Sequence, residues 1–422
     1  MLKKIFHSFG ILTTFILVFL LSVSITLAQK VPSPEDVLGF MPGTTRKLAS
    51  YEQAIEYWKA LEKATPRMKL FELGKSEMGK PLIYAVISSE ENMARLDHYK
   101  EIAKKLAKVK GLTEEEALRL AAEGRSICWI DAGIHAGETA PPQALIRFAY
   151  ELVTDEDEQC QLIRDKVITL LVFPNPDGMT MYSDWYMPIF RTEHESSRMP
   201  YLYNKYTGHD DNRDAFMNNM KETKFVTLLI NHEWFPVAFY DHHQSAPFPA
   251  RIWIPPAAEP TNPNLHPLFI REKNLIGTGM GYEFDRRGLN GVISRCNFDF
   301  IYPGYEDSFV DFFNIPSIMT ETTGRPIPVE NKIDDFPDAF KDLLPSVFYP
   351  SPWKPGKWTF EDATLYCNVA NLGFLHTNAL YAEMFLYNRY KMGKDTIEKF
   401  KKEAPYAWII PKDQWDVPTA AN

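Results

Sequence analysis

The sequence predicts an α/β protein with a mixed, largely parallel, twisted β-sheet that is flanked by helices on both faces. Short and almost entirely apolar runs recur along the chain, at 127–131, 167–173, 237–240 and 317–320. Strands that read as continuous apolar runs are typical of a sheet covered on both faces. Segments with helical patterning separate these runs, and the alternation of strands with helices indicates an α/β fold.

The first part of the chain predicts a pair of strands followed by two helices. Residues 71–88 form the two strands, joined by a turn around Gly79, because apolar and β-branched residues stand on both sides of that glycine. Charged helices follow at about 91–109 and 113–124.

The rest of the chain continues this pattern. A helix follows the 127–131 strand, because two consecutive prolines suit a first helical turn and an apolar stripe comes after them. The residue types at 174–178, Pro-Asn-Pro-Asp-Gly, are typical of a turn. The proline-rich segment 247–267 predicts a long loop near the cleft. One or two charged amphipathic helices are expected at 384–404.

Composition places the chain among ordinary globular proteins. It has 422 residues, 45% of them hydrophobic, which is far from the composition of disordered chains. A formal charge of -9 without a basic stripe argues against nucleic acid or an anionic membrane surface as the main partner. Length alone allows two domains. With no repeat or linker in view, a single catalytic domain at 31–405 with a tail at 406–422 is the simplest partition.

The N-terminus resembles an export signal. Lys3 and Lys4 precede an apolar stretch at about 11–27, and Thr26-Leu27-Ala28 gives the small-x-small pattern of a cleavage site. We therefore expect a signal peptide at 1–28 and a periplasmic or extracellular protein; an uncleaved N-terminal anchor is the alternative. Export permits disulfides among the four cysteines, but their pairing stays open, and Cys128 reads as a small buried hydrophobe.

Three side chains suggest a metal site. His135 and Glu138 form a His-x-x-Glu step in the loop after the 127–131 strand, and His243 follows the 237–240 strand. Two imidazoles and one carboxylate suit zinc, and three protein ligands leave a fourth position for water or substrate. In sheets of this kind ligands bind beyond the carboxyl ends of the strands, where these residues fall.

An ordered set of motifs carries a family resemblance. It consists of His135-x-x-Glu138, Asn175-Pro176-Asp177-Gly178, Asp210-Asp211-Asn212-Arg213, Asp241-x-His243 and Glu321. Over about 71–324 this set resembles the zinc carboxypeptidases of the carboxypeptidase A type, also called funnelins. The resemblance implies one zinc ion per chain, held by His135, Glu138 and His243. His242 is the alternative third ligand, although strand alternation would aim Asp241 and His243 to one side and His242 to the other.

The resemblance also assigns the chemistry. Glu321 matches the family's general base, which takes a proton from zinc-bound water. An upstream arginine polarises the scissile carbonyl in the family; Arg191 and Arg198 are both candidates here, with Arg191 preferred.

Substrate recognition is assigned in the same way. Asn212 and Arg213 match the pair that binds a free C-terminal carboxylate, for which the planar guanidinium is well suited. Asp210 matches the partner that orients the first zinc histidine. Tyr305, or Tyr302 nearby, stands where the family has a substrate-facing tyrosine. One departure is Asp214, which follows Arg213 where the family has asparagine.

These observations predict an exported zinc metallocarboxypeptidase that hydrolyses peptide bonds at or near a free C-terminal carboxylate. Its partner would be a peptide or protein substrate. An amidase or deacylase on the same scaffold, acting on a cell-wall peptide or an acyl-amino acid, is the second reading. A binding module that has lost its chemistry is the third, and the presence of all three ligands and the base argues against it.

Overall fold

The computed structural model describes residues 30–204 and 207–417. The predicted signal peptide at 1–28 therefore lies outside the described residues. The described residues from Pro32 onward form one structural unit. Exposed chain without a helix or strand follows residue 400 up to 416. Among the described residues, no helix combines the length and apolar character needed to cross a membrane.

Ten strands and thirteen α-helices are described. The strands are β1 Met68–Lys75, β2 Pro81–Ile87, β3 Ser126–Ala132, β4 Val167–Val172, β5 Ala238–His243, β6 Ile252–Trp253, β7 Val292–Ile293, β8 Ser317–Thr322, β9 Val329–Asn331 and β10 Gly356–Trp358. The helices are α1 Pro34–Leu38, α2 Tyr51–Ala64, α3 Glu90–Met93, α4 Leu96–Lys108, α5 Glu114–Glu123, α6 Ala140–Thr154, α7 Glu158–Lys166, α8 Pro176–Tyr186, α9 Lys221–Leu228, α10 Pro267–Arg286, α11 Glu306–Asp311, α12 Phe360–Leu380 and α13 Ala382–Phe400.

Eight of the strands form the main sheet, in the order β1-β2-β4-β3-β5-β8-β6-β7. The central pairs β4-β3, β3-β5 and β5-β8 are parallel, whereas β1-β2, β2-β4 and β6-β8 are antiparallel. Every residue of β3, β4, β5 and β8 is buried, so both faces of the central sheet are covered. The predicted fold class, a mixed and largely parallel sheet flanked by helices, is confirmed.

Parallel pairing brings the site residues to one edge of the sheet. Strand β5 pairs on one side with β3 and on the other with β8. In this register His243 lies directly opposite Glu321, and Asp131 lies opposite Asp241. The carboxyl ends of the three strands therefore form a common edge, and the loop after β3 carries His135 and Glu138 to it.

Two local predictions are wrong. Residues 174–178 were expected to form a turn, but helix α8 begins at Pro176. The side chain of Asn175 caps that helix by accepting a hydrogen bond from the Gly178 amide at 2.7 Å, and proline fits the first helical position. The predicted strands at 237–240 and 317–320 also end too early, because β5 and β8 continue to His243 and Thr322.

The cysteines carry no disulfide. Cys128, Cys160, Cys296 and Cys367 are all free. Cys128 is fully buried within β3 and packs as a small apolar residue, as its position in the sequence suggested.

Candidate active site

Two imidazoles and one carboxylate converge at the edge of the sheet. Nδ1 of His135 lies 3.1 Å from Oε1 of Glu138, and Nδ1 of His243 lies 3.0 Å from Oε2 of the same carboxylate. One potential ligand atom from each residue lies within 4.8 Å of the other two. Both histidines therefore turn the same ring nitrogen toward Glu138, as a shared metal ion would require.

The far side of each imidazole faces another carboxylate. Nε2 of His135 lies 3.1 Å from Oδ1 of Asp210, and Nε2 of His243 lies 2.9 Å from Oδ2 of Asp241. Metal-binding histidines commonly donate their second N–H to a carboxylate, which fixes the ring and its tautomer. With Nε2 engaged in this way, Nδ1 is the nitrogen left to bind a metal.

The electrostatic surroundings favour a cation between these groups. Burial acts to lower the pKa of His135, but hydrogen bonds to Asp210 and Glu138 raise it to about 10. Burial likewise acts to raise the pKa of Glu138, yet the two histidines lower it to about 2. The carboxylates around the two imidazoles therefore favour positive charge at this point, which a divalent ion would supply. The donor set therefore fits zinc.

His242 points away from this site. Its Nε2 lies 2.7 Å from Oδ1 of Asn371, on helix α12. Burial lowers the pKa of His242 to about 4, which marks an interior histidine without a carboxylate partner. The geometry thus favours His243 over His242 as the third ligand.

Glu321 stands beside the candidate ligands on β8. The backbone N–H and the hydroxyl of Ser245 both donate to its Oε2, at 2.5 and 2.8 Å. Among the described residues no hydrogen bond reaches Oε1, so this oxygen stays available to the cleft. Burial raises the pKa of Glu321 above its ordinary value. A carboxylate with one oxygen anchored and the other free is well arranged to exchange a proton.

Arg213 and Tyr305 line the same cleft. The guanidinium of Arg213 stacks over the Tyr305 ring, 4.5 Å from its centroid, and lies 3.7 Å from Asp210. Arg213 is therefore a partly exposed cation in the same cleft as the three candidate zinc ligands. Tyr302 contacts the Tyr305 ring but does not line the cleft.

Asn212 is more constrained than the sequence suggested. Its Nδ2 lies 3.1 Å from Nε2 of His243, and its Oδ1 accepts a hydrogen bond from the backbone N–H of Glu306 at 2.8 Å. The side chain lines the cleft, with its Oδ1 taken by the Glu306 amide and its Nδ2 against the edge of the His243 ring. Asp214, the departure from the family pattern, lies outside the cleft: its Oδ2 accepts from Met220 N–H and the Thr223 hydroxyl at the start of α9.

The structure does not bring Arg191 to the cleft. Arg191 is exposed, has a left-handed backbone (φ 62°), and directs its guanidinium toward the ring of the adjacent Phe190. Arg198 lines a neighbouring cavity instead. The arginine that would polarise a carbonyl therefore stays a prediction.

One cavity of about 230 Å³ encloses the groups of the cleft. Its lining includes the three candidate ligands, Glu321 and Ser245, together with Arg213 and Tyr305 on one flank. Sequence reasoning missed Ser245 and the contact of Asp241 with His243. Strand alternation placed Asp241 and His243 on one side. The predicted strand ended at residue 240, however, and only a strand that continues to His243 shows that both residues belong to it.

The fold and the site define a class: an α/β protein with three candidate zinc ligands and an adjacent carboxylate at the edge of its sheet. Residues 54–242 match the family model described as zinc carboxypeptidase, a span that ends one residue before His243. Within residues 54–242 the chain carries a zinc carboxypeptidase domain, the domain of zinc-dependent metallocarboxypeptidases, which are hydrolases.

Solved structures agree with the fold. A protein assigned as carboxypeptidase A from Shewanella denitrificans OS-217 is 14% identical, with a TM-score of 0.50 over 79% of this chain and 69% of that chain. Thrombin-activatable fibrinolysis inhibitor is 12% identical, with a TM-score of 0.50 over 85% of this chain and 81% of that one. At such identities the likeness shows the shared fold alone. A comparison with curated proteins gave no significant match.

Proposed function

We propose that this protein is an exported carboxypeptidase that removes residues from the free C-terminus of peptides, with Glu321 as the general base. The observation that carries the proposal is the cleft itself. One cavity of about 230 Å³ is lined by His135, Glu138 and His243 together with Glu321 and Arg213.

His135, Glu138 and His243 would hold zinc in this cleft. When bound, zinc supplies Lewis-acid chemistry and lowers the pKa of a coordinated water to about 7. Asp210 and Asp241 contact Nε2 of the two imidazoles, which leaves Nδ1 of each to bind the ion.

Glu321 moves the proton. Its Oε1 accepts a proton from the attacking water while the water oxygen bonds to the scissile carbonyl carbon. The same carboxyl group then gives this proton to the departing amine nitrogen as the C–N bond breaks. Ser245 holds Oε2, so the carboxylate keeps its orientation in both steps. Because burial raises the pKa of Glu321, the group is a stronger base than an exposed glutamate.

Arg213 would bind the terminal carboxylate. Its planar guanidinium can donate to both carboxylate oxygens, and stacking on Tyr305 restricts its motion. Asn212 supports this flank by contacting His243 rather than by offering a free donor. A carboxylate held here places the last peptide bond next to Glu321.

Export is part of the proposal. It rests on Lys3, Lys4, the apolar stretch at about 11–27 and the cleavage pattern Thr26-Leu27-Ala28. The mass of the protein recovered outside the cytoplasm tests it, since cleavage after Ala28 would start the mature chain at Gln29.

The function is tested with three substrates: a peptide with a free C-terminus, the same peptide with a C-terminal amide, and an acyl-amino acid with the same last residue. We expect release of the terminal residue from the free peptide only, and a loss in kcat of about 10²- to 10⁴-fold in Glu321→Gln. Elemental mass spectrometry should find about one zinc per chain, lost in His135→Ala but kept in Glu321→Gln. Preferential cleavage of the acyl-amino acid would favour a deacylase, and no cleavage of any form would contradict the proposal.

A further inference from the structure

A second cavity lies beside the cleft. It has a volume of about 390 Å³ and shares no lining residue with the cleft. Its lining nevertheless includes Gly137, next to Glu138, and Gln244, next to His243. Gln244 connects the two sides of this region: its Oε1 accepts from the Ala140 N–H and its Nε2 donates to the Gly324 carbonyl, each at 2.7 Å.

The charged groups of this cavity are Glu195, Arg198 and Arg325. Glu195 is already neutralised, because its carboxylate lies 2.9 Å from Nε of Arg46 and accepts a hydrogen bond from the Tyr186 hydroxyl at 3.0 Å. In the parts of the chain that the structure describes, neither Arg198 nor Arg325 has an ion-pair partner. The cavity therefore presents two uncompensated positive charges.

The backbone around Arg325 is held firmly while its side chain is left free. The carbonyl of Thr323 accepts from Nε1 of Trp358 at 2.7 Å, and the carbonyl of Gly324 accepts from Gln244. The carbonyl of Pro326 accepts from the Arg46 N–H, also at 2.7 Å. Two anchored carbonyls before Arg325 and one after it fix where its side chain starts.

Arg46 joins the two arginine-bearing segments. Its N–H bonds to Pro326, beside Arg325, while its guanidinium bonds to Glu195, three residues before Arg198. Arg46 does this from a left-handed backbone conformation (φ 66°), which costs a non-glycine residue roughly 1 kcal/mol. Such a conformation persists where the surroundings determine it, so the two segments are held facing one cavity.

We propose that this cavity binds an acidic side chain of the substrate, carried by the residue that contributes the scissile carbonyl. The inference rests on the proposed function. Arg213 and the three candidate zinc ligands line the cleft, and Gly137 and Gln244, the chain neighbours of two of those ligands, line the second cavity. A peptide held at Arg213 that extends past the ligands would therefore reach Arg198 and Arg325. Glutamate or aspartate at this position would meet two guanidiniums that have no carboxylate of their own.

The test uses two acetylated peptides that differ only in glutamate or glutamine at that position. The wild-type ratio of kcat/KM, glutamate over glutamine, should be roughly tenfold, the effect of one charge-assisted contact. Arg325→Gln should bring the ratio to about two or below, with Arg198→Gln acting in the same direction. Arg271→Gln removes an exposed charge from α10 outside the cavity and should keep the wild-type ratio.

Failure of this inference is distinct from failure of the proposed function. Equal kcat/KM values for the two peptides in the wild type, or an unchanged ratio in Arg325→Gln, would overturn the acidic subsite while leaving the peptidase intact. If neither peptide is cleaved, the peptidase proposal fails. Dissociation constants of the same peptides from wild type and Arg325→Gln, measured by calorimetry, then decide the subsite on their own.

Discussion

The imidazole of His243 is held from behind by a carboxylate that does not line the cleft. Asp241 is fully buried, and its Oδ2 lies 2.9 Å from Nε2 of His243. Burial acts to raise the pKa of Asp241, but the charge of His243 lowers it, so the carboxylate stays ionised inside the sheet. Asp210 does the same for His135 from a loop. The two carboxylates make both imidazoles better ligands.

We therefore expect Asp241→Asn to weaken zinc binding by about 10- to 100-fold, because the neutral amide polarises His243 less and orients it less firmly. Competition with a fluorescent chelator measures the affinity. Asp184→Asn, an exposed position on α8, is the matched control. Thermal unfolding in excess chelator shows whether the metal-free variant is as stable as the metal-free wild type, which separates a folding defect from a binding defect. Equal stability together with an unchanged zinc affinity would contradict the role of Asp241.

Helices α10 and α12 approach closely at Gly373, which lies against the backbone of Met280. A Cβ built on Gly373 of α12 would lie 2.8 Å from Cα of Met280, which belongs to the α10 backbone and cannot move alone. A Cβ on Gly281 of α10 would instead meet only the end of the Ile254 side chain, at 3.1 Å. The first glycine is required by packing, whereas the second occupies a site with room to adjust.

Gly373→Ala should lower the free energy of unfolding by about 1–3 kcal/mol, since the added methyl forces two helix backbones apart. Gly281→Ala makes the same chemical change in α10 and should be neutral or stabilising by up to about 1 kcal/mol, because alanine favours helix and Ile254 can shift. Urea unfolding of the two variants tests the contrast. Equal destabilisation by both would show that helix contact at Gly373 is not the cause.

The elements that sequence reasoning missed are the ones without a periodic pattern. Helix α12 is buried over most of its length, and its buried residues include polar ones such as Asn371 and Asn378, so no amphipathic stripe marks it. Helix α10 follows the proline-rich segment and mixes glycine with charged residues, which also hides its pattern. The apolar runs of β3, β4, β5 and β8 were predictable because short buried strands need only continuous hydrophobicity.

At the scale of the whole molecule, the order of motifs in the sequence could predict which motifs meet. It could not predict the hydrogen-bond and ion-pair partners of each side chain. Parallel strands share one carboxyl edge, so residues at strand ends converge without knowledge of the loops. The engagement of Asn212 by His243 and Glu306 depends on distances across three elements, which no spacing in the chain encodes. The same is true of Arg46, which joins segments far apart in sequence.

Global stability should depend on pH through buried acids remote from the cleft. Glu272 of α10 is 4% exposed, and burial raises its pKa to about 8, although the Asn388 hydrogen bond and the charge of Arg389 oppose this. Between an unfolded pKa near 4.5 and the folded value near 8, the folded carboxyl keeps a proton that the unfolded chain has lost. Stability therefore falls as pH rises through this window, by at most about 1.4 kcal/mol per pH unit for this group.

Glu272→Gln removes this proton while its amide oxygen can still accept the Asn388 hydrogen bond. We expect the free energy of unfolding of the variant to decline less between pH 5 and pH 8 than that of the wild type, by about 2–4 kcal/mol. The variant keeps a smaller decline of its unfolding free energy with rising pH, because burial also raises the pKa of Asp311, to about 7. Glu56→Gln, an exposed change on α2, should keep the wild-type profile, and parallel profiles for all three proteins would show that Glu272 is ionised in the fold.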